Sequence, residues 1–178
     1  MIVCAGKSEQ FEFAQPIGIG MIEAAVNLAR ICEKKKPDHI VFVGTAGTYG
    51  EKEIFEIIES RTAANVEQSF FSGDSYTPID NVISAVKDVS RETIVNSSNY
   101  ITTNRNVWQH YTAQNIHIEN MEFFAVMKVA QMYGIPAAGI LIVTNYCDEN
   151  AHEDFKKNHA EAMHRLTSYV KARAEEQK

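Results

Sequence analysis

No apolar stretch in this sequence approaches the roughly 20 residues that a membrane-spanning helix needs. Residues 1–5 are apolar, but they lack the charged start and the long apolar run of a signal peptide. The chain has three cysteines, widely spaced and without a CxxC pair, which argues against disulfides and zinc. We therefore expect a cytoplasmic protein with no membrane partner.

Motifs for metals, nucleophiles and nucleic acids are also missing. The six histidines form no HExxH pattern and there is no G-x-S-x-G elbow, so we predict no metal and no cofactor. Gly18-Ile19-Gly20 starts a G-x-G-x-x-G pattern, but Glu23 occupies the third glycine position, which argues against a dinucleotide fold. A net charge of −6, with one basic run at residues 34–36, argues against a nucleic-acid partner, because phosphate backbones require clustered cations.

What the sequence does contain is a regular alternation of extended and helical segments. We predict strands at 1–5, 39–44, 54–59, 63–68, 93–96, 116–119 and 136–144. We predict helices at 20–35, 78–88, 104–113, 121–133 and 153–175. Continuous apolar runs indicate strands buried on both faces, whereas the alternating pattern of 54–68 favours a more exposed, hairpin-like part. With no repeat or linker, the chain is predicted to form a single α/β domain over 1–178, with a mixed, largely parallel central sheet flanked by helices.

Two polar side chains stand where predicted strands end. Glu122 closes the segment 116–122, which delivers a carboxylate from a strand into an apolar helix. Asn145 closes the buried strand 137–145. Ligands collect at the carboxyl ends of strands in α/β sheets, and a carboxylate with an amide suits a sugar diol and a nitrogenous base. A first-turn glutamate that stabilises the helix dipole is the alternative interpretation of Glu122.

Three further motifs give weaker signals. The turn 44–47, Gly-Thr-Ala-Gly, directly follows a buried strand and lets backbone N–H groups approach a flat ring or an anion, although a ligand-free turn would have the same sequence. Gly18-Ile19-Gly20 resembles a turn that cradles phosphate. Tyr100 follows another strand, and its pattern fits either stacking on a planar ring or a half-buried structural tyrosine.

Taken in order, the segments 18–25, 37–47, 120–122 and 144–145 resemble the nucleoside phosphorylase superfamily. The likeness is greatest to its methylthioadenosine/S-adenosylhomocysteine nucleosidase and purine nucleoside phosphorylase branches. It covers most of the chain from Pro16 onward, and the Met-Glu motif followed by the Thr-Asn strand end is its most specific part. The N-terminal part is shorter than in the family.

The resemblance implies a role for each candidate residue. Glu122 would accept hydrogen bonds from the ribose 2′- and 3′-hydroxyls and stabilise positive charge at C1′, with Met121 packing beneath the sugar. Asn145 would donate to the N7 edge of a purine and so assist departure of the base. The remaining wall of the nucleoside pocket would consist of Thr45, Ala46, Gly47, Tyr100 and Ile101.

The chain departs from the nucleosidases at Asn145, where they carry an aspartate. An asparagine donates to N7 but is not a Brønsted acid, so catalysis would depend on hydrogen bonding. Members that act on 6-oxopurines, including trimeric purine nucleoside phosphorylases and futalosine hydrolases, have asparagine there. We therefore predict a preference for 6-oxopurines, although an amide can also read the N6 and N7 of adenine.

The sequence leaves open whether phosphate or water is the nucleophile. A phosphate site would use the backbone of Gly20, the backbone and hydroxyl of Thr45, and Lys7 as the cation, because Phe42 stands where hexameric phosphorylases have an arginine. For hydrolysis, the candidate is Glu9 or Glu12, since each falls near the sequence position of the glutamate that activates water in the nucleosidases. Asn145 places phosphorolysis first, whereas Phe42 favours hydrolysis.

The leading hypothesis is an enzyme that cleaves the N-glycosidic bond of a purine nucleoside, with inorganic phosphate or water as the second substrate. A non-catalytic nucleoside-binding protein and an unrelated α/β domain are the alternatives. We also expect a homo-oligomer, a dimer or larger, because family members complete their pockets with a neighbouring subunit. Aromatic side chains such as Phe70, Phe71 and Trp108 are candidates for that interface.

Overall fold

Residues 1–88 and 92–176 are described by a computed structural model. Within these ranges the strands are β1 Ile2–Cys4, β2 Gln15–Pro16, β3 Ile40–Thr48, β4 Ile57–Ser60, β5 Thr62–Ala64, β6 Val82–Ser84, β7 Ile94–Ser97, β8 Ile116–Asn120 and β9 Ala137–Tyr146. The helices are α1 Gly20–Lys35, α2 Gln68–Phe71, α3 Trp108–Thr112, α4 Phe123–Tyr133 and α5 Ala151–Glu176, and a 3₁₀ turn at Arg105–Val107 leads into α3.

All of these strands belong to one mixed, mostly parallel sheet with β3 at its centre. The order β2-β1-β3-β8-β7-β5-β6 runs along one path, and β9 pairs with β3 and β4. The first half of β3 lies between β1 and β9, whereas its last residues, Gly47 and Thr48, pair with β8 in antiparallel orientation. Between its pairings with β1 and β8, β3 pairs only with β9 among the described strands, and the candidate site lies beside this stretch, residues 43–46.

The predicted α/β architecture is confirmed, and α1 begins and ends at the predicted residues. The predicted helix at 78–88 is wrong, because residues 82–84 form strand β6 instead. Val82 and Ile83 are β-branched, and β6 fills the open edge of β5, where the Thr62 and Ser84 hydroxyls lie 2.8 Å apart.

The predicted hairpin-like part at 54–68 is wrong as well. Strand β4 pairs with β9, whereas β5 pairs with β6 and β7, so the two strands separate rather than fold back on each other. All three residues of β5 are buried, and their small side chains let α4 pack closely over that strand. The strand β2 and the short helix α2 were not predicted.

Helix α4 contributes the apolar layer that supports the site. Six of its residues are buried, and Phe123 packs against Phe42 of β3 with ring centroids 6.1 Å apart. At its C-terminus Gly134 adopts the left-handed conformation, with φ 66°, that ends a helix without strain. No helix in the described part of the chain is both long enough and apolar enough to cross a membrane.

Candidate active site

A cavity of about 250 Å³ lies where β3, β8 and β9 reach the starts of α4 and α5. It brings together nine of the residues singled out from the sequence: Glu9, Thr45, Ala46, Gly47, Tyr100, Ile101, Met121, Glu122 and Asn145. Residues that were not predicted complete the wall: Ala5, Gly6, Ser8, Ile19, Glu119, Asn120, Ala151, His152 and Phe155. Segments far apart in the sequence therefore form one concave surface, as ligand sites do.

Glu122 lies at the N-cap position of α4, but its side chain turns away from that helix. Other groups cap the helix, since Asn120 accepts from the N–H of Phe123 and Ser97 accepts from that of Phe124. The Glu122 carboxylate instead accepts from the backbone N–H of Gly20 at 2.8 Å and from the amide of Asn120 at 3.3 Å. The simple first-turn interpretation of Glu122 is therefore wrong, and its carboxylate is directed into the cavity wall.

Glu9 is brought to the opposite wall by a tight turn. Gly6 and Glu9 exchange two backbone hydrogen bonds, and the turn between them gives Lys7 a left-handed φ of 55°. The Glu9 carboxylate accepts from the Thr45 N–H at 3.0 Å and from its hydroxyl at 2.5 Å. A Cβ at Gly44 would lie 2.8 Å from a Glu9 oxygen, so this position requires glycine for the carboxylate to dock.

The two carboxylates affect each other's protonation. Burial raises the pKa of Glu122 from 4.5 to about 7, the Gly20 N–H opposes that rise, and the charge of Glu9 adds to it. Burial also raises the pKa of Glu9, against the two hydrogen bonds from Thr45. A pKa of about 7 allows Glu122 to exchange a proton close to neutral pH, whereas for Glu9 burial favours the protonated form.

Asn145 is buried and its amide orientation is fixed by neighbours. Its Oδ1 accepts from the Thr144 hydroxyl at 2.9 Å, and its Nδ2 donates to the carbonyl oxygen of Tyr146 at 3.0 Å. The amide nitrogen also packs on Gly47, where an added Cβ would lie 2.8 Å away. Among the described residues, this amide nitrogen donates to the Tyr146 carbonyl oxygen, and the side chain lines the cavity.

Glu119 is a third carboxylate of the cavity that the sequence interpretation missed. It is buried at the end of β8 and accepts from the backbone N–H and the hydroxyl of Thr102, both at 2.8 Å, and from the Tyr49 hydroxyl at 2.6 Å. Burial and the charge of Glu119 raise the pKa of Tyr49 well above 10, so the phenol stays a donor. The sequence signal that could have identified Glu119 is an acidic residue near the end of a strand, β8, whose other residues are mostly buried.

Three residues predicted for the nucleophile site do not line the cavity. Lys7 and Glu12 are exposed, and Gly20 lies behind the wall with its N–H on Glu122. Arg105 pairs with the buried Asp148 at 2.6 Å and does not line the cavity either. Tyr100 is 84% exposed at the cavity mouth, so the half-buried structural interpretation of this residue is wrong.

Comparisons with known proteins identify the family and the fold. The family model described as the phosphorylase superfamily matches residues 2–174, almost the whole chain. This chain belongs to the phosphorylase superfamily. A sequence comparison with curated proteins finds no match.

Several solved structures share the fold of this superfamily member. A mutant of a Helicobacter pylori MTAN (5′-methylthioadenosine/S-adenosylhomocysteine nucleosidase) with 5′-methylthioadenosine in its active site has a TM-score of 0.82 at 14% identity, covering 98% of this chain and 97% of the other. A mutant of Helicobacter pylori futalosine hydrolase has a TM-score of 0.81 at the same identity and coverage. The Streptococcus pneumoniae nucleosidase with a transition-state inhibitor has a TM-score of 0.76 at 13% identity, covering 95% of each chain.

Proposed function

We propose that this superfamily member hydrolyses the N-glycosidic bond of a purine nucleoside, with water rather than phosphate as the nucleophile. One observation carries the choice of nucleophile: carboxylates already occupy the backbone and hydroxyl donors that a phosphate would need. Gly20 N–H donates to Glu122, and both donors of Thr45 go to Glu9. The proposal therefore places hydrolysis ahead of phosphorolysis, which is the reverse of the order suggested by Asn145 alone.

The charge of the cavity supports the same choice. Of the described residues that line it, three are glutamates and none is lysine or arginine. A single negative charge 4 Å from a carboxylate is repelled by about 4 kcal/mol at an effective dielectric constant of 20, and phosphate carries up to two such charges. A neutral water is free of this cost, whereas a cationic sugar in the transition state is attracted by the carboxylates.

Each polar group then has a chemical task. Glu122 binds the ribose hydroxyls and stabilises the oxocarbenium-like charge at C1′. Glu9 accepts a proton from the attacking water as the water oxygen bonds to C1′ and the C1′–N9 bond breaks. The electron pair of that bond leaves with the purine, and Asn145 stabilises the departing base by donating to N7. The purine then takes up a proton from solvent and is released, and Glu9 returns the proton that it accepted from water to solvent.

The orientation of Asn145 supports a 6-oxopurine as the preferred base. Its oxygen is engaged by Thr144, so the group offered to the ligand is an N–H donor. Such a donor matches the acceptors N7 and O6 of hypoxanthine or guanine better than the 6-amino group of adenine. We therefore expect inosine-type substrates to be cleaved faster than adenosine-type substrates.

The role of Glu9 gives a direct test with a matched control. Release of free base from inosine, guanosine, adenosine and methylthioadenosine is measured for the parent, Glu9→Gln and Glu12→Gln. Glu12 is exposed and lies outside the cavity wall, so the same chemical change there controls for charge alone. Loss of a general base predicts a fall of about 10²–10⁴-fold in kcat for Glu9→Gln and parental rates for Glu12→Gln.

Two outcomes would contradict the proposal. If Glu9→Gln and Glu12→Gln release base equally fast, Glu9 is not the base. If the parent binds purine nucleosides tightly and releases no base from any of them, the chain is a nucleoside-binding protein rather than a hydrolase.

A further inference from the structure

The segment 99–106 crosses the mouth of the cavity and carries Tyr100 and Ile101 on its wall. Nearly all of this segment is exposed, including Tyr100 at 84% and Ile101 at 53%. Thr102 is the exception, with 4% of its surface exposed. The segment is also held near its two ends, where Asn99 accepts from the Met21 N–H at 3.0 Å and Arg105 pairs with Asp148 at 2.6 Å, so Thr102 is its buried central anchor.

Glu119 holds that residue. Its two carboxylate oxygens accept from the backbone N–H and the hydroxyl of Thr102, both at 2.8 Å. Gln68 adds a longer contact of 3.4 Å to the same hydroxyl. Because hydrogen bonds to a charged acceptor are about twice as strong as neutral ones, Glu119 contributes most of this attachment.

A second set of contacts fixes Glu119 itself. Tyr49 donates to it at 2.6 Å, and the Tyr49 ring stacks on that of Tyr111 with centroids 4.2 Å apart and an interplanar angle of 5°. Tyr111 in turn donates to the carbonyl oxygen of Val66 at 3.2 Å. The carboxylate is therefore held from behind by rigid aromatic side chains and from the front by the loop.

We propose that Glu119 is a positioning residue that anchors Thr102 and thereby sets Tyr100 and Ile101 over the base of a bound nucleoside. The residue acts through the loop and not on the reacting atoms, so it governs how tightly the base is held. This inference rests on the proposed function for the identity of the ligand, whereas the anchor itself is a property of the fold.

The test is a double-mutant cycle with Glu119→Gln, Tyr100→Ala and the double variant. Glutamine keeps the shape but lacks the charge, and one of its two terminal groups is a donor facing the Thr102 donors. We expect Glu119→Gln to raise KM about ten- to hundred-fold, the size of a lost hydrogen bond to a charged group, with kcat within about threefold of the parent. In the Tyr100→Ala background the same change should have little further effect.

Substitutions at Thr102 provide the conservative rescue and protect the test against misfolding of Glu119→Gln. Thr102→Val removes the hydroxyl at nearly constant shape and should raise KM in the same direction. Thr102→Ser keeps both donors and should behave as the parent. Thermal unfolding of each variant shows that it is folded before its KM is compared.

Calorimetric binding of hypoxanthine separates this inference from the proposed hydrolysis. If the parent binds hypoxanthine but cleaves no nucleoside, hydrolysis is contradicted, and the cycle is then measured on the dissociation constant instead of on KM. The anchor is overturned if Glu119→Gln and Thr102→Val leave binding unchanged. It is also overturned if the effect of Glu119→Gln is equally large without the Tyr100 ring, because Glu119 would then contact the ligand itself.

Discussion

Glu122→Gln is expected to remove most activity and, at the same time, to stabilise the folded protein above neutral pH. The carboxylate is 5% exposed, and burial raises its pKa from 4.5 to about 7. Between these two pH values the folded state binds more protons than the unfolded chain. The free energy of unfolding therefore falls as pH rises from 4.5 through 7, and the stability present at low pH is lost above 7.

The size of the effect follows from the same pKa values. Ionising Glu122 costs roughly 3 kcal/mol more in the folded state than in the unfolded chain, at about 1.4 kcal/mol per pH unit. Glutamine removes this cost, but its NH₂ group would face one of two donors, Gly20 N–H or the Asn120 amide, with a loss of about 1–2 kcal/mol. A net gain of about 1–2 kcal/mol remains at pH 8, which raises Tm by about 2–8 °C in a protein of this size.

Thermal unfolding of the parent, Glu122→Gln and the exposed control Glu12→Gln at pH 5 to 8.5 measures this gain, and base release measures activity. We expect the Tm advantage of Glu122→Gln at pH 8 to have disappeared at pH 5, where Glu122 of the parent is protonated. The loss of charged contacts to the sugar should reduce kcat/KM about 10²–10³-fold. A variant that is less stable than the parent at pH 8, or fully active, would refute the assignment of Glu122 as a buried carboxylate poised for the ribose.

Other variants and solution measurements test the remaining parts of the site. Asn145→Asp should shift preference towards adenine-type substrates by about 1–3 kcal/mol in relative kcat/KM, since a protonated aspartate donates to N7 and accepts from a 6-amino group; equal parental turnover of adenosine and inosine would contradict this. Gly44→Ala should reduce activity as Glu9→Gln does, because its Cβ would lie 2.8 Å from the Glu9 carboxylate; parental rates would show that Glu9 need not dock there. The pH profile of kcat/KM should fall below about pH 7, where Glu122 becomes protonated, and a flat profile would argue against its ionised role. Light scattering should show a dimer or larger at micromolar concentration, given exposed apolar side chains such as Ile22, and a monomer would count against association.

Local sequence patterns predicted the parts of the site that follow strands. Glu122 and Asn145 both follow apolar runs, and the sheet places such positions together at one edge. The predicted turn at 44–47 is wrong, because these residues continue strand β3, although Thr45, Ala46 and Gly47 do line the cavity. These positions depend on neighbours in sequence, and the pattern of apolar residues specifies them.

Tertiary packing determines the location of residues that the sequence alone could not distinguish. Glu9 and Glu12 look equivalent in the sequence, and only the turn at Gly6 directs Glu9 to Thr45 while Glu12 stays exposed. The sequence of residues 78–88 predicts a helix, but the β-branched residues within it form strand β6, which pairs with the open edge of β5. Trp108, predicted as an interface aromatic, is partly buried and donates to the carbonyl oxygen of Cys147.

The central claim is that water attacks C1′, and the dependence of the rate on phosphate tests it most directly. Cleavage of inosine by the parent is followed in phosphate-free buffer and with added phosphate, and the sugar product is identified as free ribose or ribose 1-phosphate. Our account predicts free ribose and the same rate in both buffers. Ribose 1-phosphate, formed at a rate that rises with phosphate and vanishes without it, would contradict the account.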